Sequence, residues 1–156
     1  HATDFFKSSA IVLDENEIIF SSDEFMHSYN LKNGIINWRK ELSTIGTPIV
    51  DKKNIFLVTG NGYFVIMNRD DGKIISSTNI FKILKEKKRL TQVVGFVMGS
   101  EKIYSVTLNG YLIVSSAVSG KTEYSKKIGD KVLSAPIISG GKLYILTENS
   151  KIIGFY

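Results

Sequence analysis

Two features of the sequence predict an all-β chain built from repeated antiparallel units. Short apolar segments alternate with turns that contain Gly, Asn or Asp, as in consecutive β-hairpins. One kind of turn recurs along the chain, at Asp23-Glu24, Asn61-Gly62, Asn109-Gly110 and Asn149-Ser150. Four short strands in a period of about forty residues are the signature of a β-propeller blade. The sequence therefore predicts about three and a half four-stranded blades.

A second series of turns keeps the same spacing. The second residues of successive first turns are at positions 24, 62, 110 and 150, so their spacings are 38, 48 and 40 residues. The second turn of each unit lies at Asn33-Gly34, Asp71-Gly72 and Ser119-Gly120. The spacings between these turns are 38 and 48 residues. Glycine suits these turns because it tolerates positive φ. The repeat glycines are thus predicted to be structural, and they are Gly34, Gly62, Gly72, Gly110 and Gly120.

The chain, 1–156, is predicted to be a single propeller domain. Its predicted blades are residues 9–42, 47–81, 93–128 and 133–156, with residues 1–7 as a strand left over from a preceding blade. The last blade has three strands, so we expect a part of a ring of seven or eight blades, or a ring completed by a second copy. A closed four-bladed ring, with Thr3–Lys7 as the missing outer strand, is the alternative.

The first and last predicted blades carry apolar residues without a polar cap. Those of the first blade are Ile11, Val12, Ile18, Ile19 and Phe20. Those of the last are Ile137, Ile138, Leu143, Tyr144, Ile145, Leu146, Ile152 and Ile153. Terminal repeats normally need polar outer faces. We therefore expect either self-association or packing against the rest of a parent protein.

A basic run within the connection from Phe81 to Leu90 is the first candidate binding site. The chain has a formal net charge of +5, and Lys85, Lys87, Lys88 and Arg89 lie in this connection. A solvated surface and an acidic protein partner both account for such a run. The apolar residues of Asn79–Arg89 cover barely one helical turn, which predicts a loop with a helical turn. Basic residues are not interleaved with exposed aromatic residues, so no nucleic-acid partner is predicted.

The turns at Asp23-Glu24, Asn61 and Asn109 form the second candidate site, which we expect on the opposite rim of the ring from the basic connection. No catalytic, cofactor or metal site is predicted. The chain has no cysteine, His27 lies alone on a strand, and His1 is terminal. Acidic pairs such as Asp14-Glu15 and Asp70-Asp71 are interpreted as turn-forming residues and not as ligand or acid/base pairs. The chain is therefore expected not to be an enzyme.

Three segments resemble the pyrroloquinoline-quinone-type (PQQ-like) propeller repeat. They are IIFSSDEFMHSYNLKNGIINW, IFLVTGNGYFVIMNRDDGKIIS and IYSVTLNGYLIVSSAVSGKTEY. Trp38 falls on the tryptophan position of that repeat, after Gly34, and Ser76 or Ser77 and Tyr124 replace it in the later units. The resemblance covers nearly the whole chain and implies a propeller.

Within these repeat proteins, the chain looks like the C-terminal half of members of the BamB family, lipoproteins of the outer-membrane β-barrel assembly machinery. This resemblance implies a scaffold on the periplasmic side of the bacterial outer membrane. Its partner would be the barrel-insertion subunit, and its membrane anchor would lie outside this chain. The alternative is a fragment of a quinoprotein dehydrogenase or of a substrate-binding propeller. Such dehydrogenases hold a quinone and Ca²⁺ with a cysteine pair and a stacking tryptophan, and the sequence lacks the cysteines.

Overall fold

A computed structural model of the chain describes residues 11–22, 24–85 and 91–155, and these residues form an all-β protein. The strands are β1 (Val12–Asp14), β2 (Glu17–Ser22), β3 (Phe25–Asn30), β4 (Ile36–Glu41), β5 (Ile49–Val50), β6 (Asn54–Val58), β7 (Tyr63–Asn68), β8 (Ile74–Asn79), β9 (Val93–Gly99), β10 (Lys102–Thr107), β11 (Tyr111–Ser116), β12 (Thr122–Lys127), β13 (Ile137–Ser139), β14 (Lys142–Leu146) and β15 (Ile152–Phe155). A 3₁₀ helix at Ile80–Ile83 follows β8. Within the described residues, no helix is long and apolar enough to cross a membrane.

The strands form four antiparallel sheets, each of which is one propeller blade. Blade 1 contains β1–β4, blade 2 contains β5–β8, blade 3 contains β9–β12, and blade 4 contains β13–β15. Each strand pairs with the next one along the chain, so each blade is an up-and-down meander. The predicted fold class, an incomplete β-propeller, is confirmed. The five repeat glycines all have positive φ, from 68° to 88°.

Equivalent rows of side chains cross every blade, and we name them by the neighbour that they face. The forward row faces the next blade, and it is Val12–Ile19–Ser28–Trp38 in blade 1, Ile49–Phe56–Ile66–Ser76 in blade 2, Val97–Tyr104–Val114–Tyr124 in blade 3 and Ile137–Tyr144–Gly154 in blade 4. The rear row faces the previous blade, and it is Leu13–Ile18–Tyr29–Ile36 in blade 1, Val50–Ile55–Met67–Ile74 in blade 2, Met98–Ile103–Ser115 in blade 3 and Ile138–Leu143 in blade 4.

The hydrophobic core lies between blades, where a forward row packs on the next rear row. Ile19 and Trp38 of blade 1 share one cluster with Ile55 and Met67 of blade 2. Two further clusters join blade 2 to blade 3 and blade 3 to blade 4 in the same way. A blade with neighbours on both sides buries both faces, which explains why β7, Tyr63–Asn68, is apolar at successive positions instead of alternating.

Trp38 fixes the outer edge of blade 1 on blade 2. Its indole Nε1 donates to the carbonyl oxygen of Arg69 at 2.7 Å, and its ring lies against Gly72. Ser76 takes the equivalent position in blade 2 and lies against Gly120, and Thr78 Oγ1 donates to the Gly120 oxygen at 2.7 Å. The same contact between blades is thus made by a large side chain in one interface and by small hydroxyl residues in the next.

Arg69, in the turn after β7, adds an ionic contact between the same two blades. Its Nε donates to Glu17 Oε2 at 2.6 Å, and its Nη1 donates to Asp14 Oδ2 and to the Asp51 carbonyl oxygen. Burial alone would lower the pKa of Arg69, but the hydrogen bonds and charges of Glu17 and Asp14 raise it above its usual value. Because only 11% of the Arg69 side chain and 17% of the Glu17 side chain are exposed, solvent screens this ion pair weakly.

We expect Gly72→Ala to lower the free energy of unfolding more than Gly34→Ala does. The two glycines occupy equivalent turns and share a φ of +68°, so each alanine carries a backbone cost of about 1–2 kcal/mol. A Cβ at Gly72 would lie 2.7 Å from Cδ2 of Trp38, whereas a Cβ at Gly34 meets nothing within 4 Å. Overpacking of this kind adds about 1–3 kcal/mol. Urea denaturation of both variants measures the difference.

The control is the same pair of alanine variants in a Trp38→Leu background. Without the indole, Gly72→Ala and Gly34→Ala should lower the free energy of unfolding by similar amounts, because the new Cβ at position 72 no longer meets the Trp38 ring. A difference that persists without the indole would contradict the explanation.

Candidate functional site

The connections between blades lie at the same end of the molecule as the turns between the second and third strands of each blade, and we call this end the upper rim. The N–H of Ile80 donates to the Gly62 oxygen at 2.9 Å, and the N–H of Ile128 donates to the Gly110 oxygen at 2.7 Å. The expectation that the two candidate surfaces lie on opposite rims was therefore wrong. The chain reverses at each turn of a meander, so the second and fourth strands run toward the same end.

The connection after blade 2 starts with the 3₁₀ helix. Asn79 Oδ1 accepts from the Phe81 N–H at 3.0 Å and caps the helix, while Ile80 is fully buried. The Phe81 ring lies where a Cβ on Gly62 would stand, so the glycine makes room for it. The helical turn predicted within Asn79–Arg89 is present, and it is fixed to the neighbouring turn.

The described part of this connection carries exposed lysines. Lys82 and Lys85 are both exposed, and the 3₁₀ helix contacts β12. That strand ends with Lys126 and Lys127, and Lys127 Nζ lies 6.0 Å from the centre of the Tyr111 ring. The other predicted binding residues, Lys87, Lys88 and Arg89, lie outside the described residues. The upper rim is therefore basic around blades 2 and 3.

The second candidate set, the turns with Asn61 and Asn109, is held by repeated side-chain hydrogen bonds. Thr59 Oγ1 donates to Asn61 Oδ1 at 2.5 Å, and Thr107 Oγ1 donates to Asn109 Oδ1 at 2.6 Å. Thr91, from the long connection, also donates to Asn109 Oδ1 at 2.6 Å. These hydrogen bonds to the asparagine amide oxygens fix the conformation of the two turns on the upper rim. Of the first turn, Asp23 lies outside the described residues and Glu24 is exposed.

An acidic groove lies on the upper rim between blades 1 and 2. It has a volume of about 540 Å³, and its lining includes Glu24, Glu41, Thr59 and Asn61. Two carboxylates therefore line the groove beside blade 1, with the exposed Arg39 nearby over the Phe25 ring, whereas exposed lysines surround blades 2 and 3. Such a surface favours a partner with the opposite arrangement of charges.

Two acidic turn residues of the described ranges, Asp71 and Asp14, make structural contacts. Asp71 Oδ1 accepts from the Lys73 N–H at 2.9 Å and closes its own turn. Asp14, expected only as a turn former, is an ion-pair partner of Arg69. No group of three or more His, Cys, Asp or Glu residues in the described ranges could hold a metal ion.

His27 lies on the face of blade 1 that points away from blade 2. Its ring lies beside those of Phe20 and Tyr29, with centres 5.1 and 6.1 Å away, and the centres of those two rings are 6.0 Å apart. Its Nε2 lies 3.2 Å from Ser22 Oγ. Its Nδ1 is buried without a hydrogen-bond partner. Burial, and then the positive charge of Arg39, lower the pKa of His27 below 6.5. His27 is thus a packed residue of an aromatic cluster.

The sequence pattern gives no signal for the cluster around Arg69. Its partner Asp14 is 55 positions away along the chain, and no motif joins the two residues. Trp38 was identified through its repeat position, but its bond to the Arg69 carbonyl was not, because that contact exists only when blade 2 lies against blade 1.

We expect His27 to make the protein less stable in mild acid. Its lowered native pKa means that the folded chain binds fewer protons than the unfolded chain, whose histidine titrates near 6.5. Its contribution to stability is therefore present above 6.5 and is lost as the pH falls through 6.5 and the native pKa. Melting temperatures of the wild type and His27→Phe across this range should show a flatter profile for the variant. Phe25→Leu, a nearby change without a titrating group, should keep the wild-type profile, and equal slopes for all three proteins would contradict the assignment.

The solved structures similar to this chain are β-propellers of low sequence identity. BamB from Moraxella catarrhalis matches with a TM-score of 0.76 and 11% identity, over 94% of this chain and 42% of that chain. The computationally designed Ika4 protein matches with 0.74 and 11% identity, over 95% of this chain and 91% of its own. A quinohemoprotein alcohol dehydrogenase from Comamonas testosteroni matches with 0.74 and 11% identity, over 89% of this chain and 28% of its own. These likenesses show the fold.

This chain spans less than half the length of the Moraxella BamB. No curated protein matches it in sequence. The family model described as "Outer membrane protein assembly factor BamB" matches residues 6–78 and 81–156, which together contain all four blades. With a match over nearly its whole length and the same repeated blades in its structure, this chain belongs to the family of the outer membrane protein assembly factor BamB.

Proposed function

We propose that this chain is part of a non-catalytic propeller scaffold that binds proteins in the bacterial envelope during the assembly of outer-membrane β-barrel proteins. The observation that carries the proposal is the upper rim, where turns and connections are tied together by backbone hydrogen bonds such as Ile80 to Gly62. A surface held in this way is ordered before a partner arrives, which lowers the entropy cost of binding.

Family membership supports the place of action. The name of the family refers to an outer membrane assembly factor, so we place this protein on the periplasmic side of the outer membrane, as a lipoprotein whose anchor lies outside this chain. The proposed partner is the barrel-insertion subunit of the assembly machinery. Further blades, of a second copy or of the same protein, complete the ring.

The charge distribution of the upper rim supports a protein partner. Exposed Lys82 and Lys85 lie near blades 2 and 3, and Glu24 and Glu41 line the groove between blades 1 and 2. Separated charges of both signs orient a partner as it approaches and disfavour wrong partners.

A quinoprotein, or another substrate-binding propeller, is the second candidate. The fold likeness to a quinohemoprotein alcohol dehydrogenase favours it. Against it, the chain has no cysteine for the cysteine pair that such enzymes use, and Trp38 packs on Gly72 and donates to Arg69. A tryptophan held between two blades is not free to stack on a quinone. The same fold serves enzymes and scaffolds, so the choice between the two functions rests on the residues of the site and not on the fold.

Crosslinking of the full-length protein in intact cells, followed by mass spectrometry, tests the choice between these functions. Capture of barrel-assembly subunits through peptides of the upper rim is the result expected for a scaffold. Capture of respiratory cytochromes, or a quinone bound to the purified protein, would establish the second candidate instead.

Reversing the charges of Lys85, Lys87, Lys88 and Arg89 to Glu should weaken partner binding at least about tenfold, because charged rim contacts govern association. The measurement is the dissociation constant of the full-length variant for the captured partner. The matched control reverses Lys32, Lys52, Lys73 and Lys121, four exposed residues in turns at the opposite end of the blades, and it should leave binding unchanged. An equal effect of both sets would mean that net charge, not the upper rim, controls binding.

A further inference from the structure

The fourth strand of blades 1, 2 and 3 is the outer edge of its sheet. Within the described residues, β4, β8 and β12 each end a four-stranded sheet, and no further strand pairs with them. The N–H and carbonyl groups on the free side of such a strand can bond to the backbone of another polypeptide. Proteins normally protect these edges with charged side chains. The three outer strands can therefore be compared position by position.

The register of the blades aligns these three strands. Each has a bulge at the same place, and the extra residue is Asn37 in β4, Ile75 in β8 and Glu123 in β12. The corresponding residues after the bulge and its neighbour are Arg39, Ser77 and Ser125, then Lys40, Thr78 and Lys126, then Glu41, Asn79 and Lys127.

β8 differs from the other two outer strands in having no charged side chain. The sequences are INWRKE for β4, TEYSKK for β12 and IISSTN for β8. The bulge residue of β8, Ile75, is 59% exposed, at a position where the other strands have Asn and Glu. Isoleucine and threonine also favour strands. The edge of β8 thus lacks the protection that its two counterparts have.

Two residues of β8 direct their backbone groups away from the sheet. In an antiparallel pair, residues that bond to the partner strand alternate with residues that face outward. The N–H of Ile80 donates to the Gly62 oxygen at 2.9 Å, and this bond continues the register of β7 and β8. The backbone of Thr78, two residues earlier, therefore faces β7, and the backbone of Ser77 and Asn79 faces outward.

The strand is held in place before any partner binds. Thr78 Oγ1 donates to the Gly120 oxygen at 2.7 Å, and Ser76 lies against the same glycine. Asn79 Oδ1 accepts from the Phe81 N–H at 3.0 Å and fixes the end of the strand. Blade 2 also has a blade on each side among the described residues. An ordered edge lowers the entropy cost of adding a strand.

We propose that β8 binds an extended segment of another polypeptide, which pairs with it as a further strand of blade 2. The backbone of Ser77 and Asn79 supplies the hydrogen bonds, and the exposed Ile75 packs against an apolar side chain of the segment. The segment is uncharged where it pairs, because β8 offers no opposite charge to a lysine or a glutamate. Alternating threonine and valine, which favour strands, have this chemistry.

The binding surface is the outer edge of blade 2 and not the upper rim, so it goes beyond the proposed scaffold function. Charge reversal at the upper rim leaves β8 unchanged and tests the scaffold function separately. The two proposals can therefore fail independently.

The probe is a short uncharged peptide of alternating threonine and valine with blocked ends, added to the full-length protein while amide hydrogen exchange is followed by NMR. With saturating peptide, the outward amides of Ser77 and Asn79 should exchange at least about tenfold more slowly. The equivalent amides of β4, at Arg39 and Glu41, should not change. A peptide with the same side chains and N-methyl groups on its valines and threonines has no N–H donors there, so it should give no protection.

Two variants give β8 the residues that β4 has at the same positions, Ser77→Arg and Ile75→Asn. Both positions are exposed, so the variants should fold, and each should weaken peptide binding at least about tenfold. Ser125→Arg makes the same change at the equivalent position of β12, and as the matched control it should leave binding unchanged.

Three results would overturn the proposal. The first is an unchanged exchange rate at Ser77 and Asn79 with about 1 mM peptide. The second is equal protection by the N-methylated peptide, or equal binding by Ser77→Arg and the wild type, because the backbone of β8 would then not hold the peptide. The third is protection that rises with protein concentration in the absence of peptide, because β8 would then pair with a second copy.

Discussion

The packing of one blade on the next is the constraint on which the rest of the structure depends. Within a blade, hydrogen bonds join the strands, but an isolated four-stranded sheet exposes both faces to solvent and buries little apolar surface. Burial comes from forward and rear rows that meet, as Ile19 and Trp38 meet Ile55 and Met67. Each blade is therefore stable only against its neighbours, as in other repeat proteins.

Polar contacts set how the blades are placed, since apolar burial has little directional preference. Between blades 1 and 2, the indole of Trp38 and the guanidinium of Arg69 both bridge to the neighbouring blade. Between blades 2 and 3, Thr78 bonds to the Gly120 carbonyl instead. Different residues thus fix the same relation at each interface, and this explains how the repeat keeps its geometry while its tryptophan changes to serine.

The same constraint leaves the upper rim for function. The blade faces are used for packing, and the turns and connections at the rim are tied to each other by backbone hydrogen bonds. Their outer side chains, Lys82, Lys85 and Glu24, can vary without cost to the core. A propeller can accordingly change partners by changing its rim, in keeping with the use of one fold for several functions.

The sequence by itself determined the strands, the turns and the period of the blades. These are local properties, because a positive φ at Gly34 or Gly72 and a run of apolar residues such as β7 are set by residues close together in the chain. The repeat period also gave the positions of the repeat glycines, and the few apolar residues of Asn79–Arg89 predicted the helical turn after blade 2.

Only the tertiary structure decided which distant residues meet. The bond of Arg69 to Asp14 and Glu17 leaves no sequence pattern, since it depends on how two blades are placed together. The prediction that Lys85 and Asn61 lie on opposite rims was wrong. Their place on one rim follows from the direction of the fourth strand, which the composition of the two loops does not indicate. Short-range preferences fix the blade, whereas contacts between rows of different blades fix the surface that a partner meets.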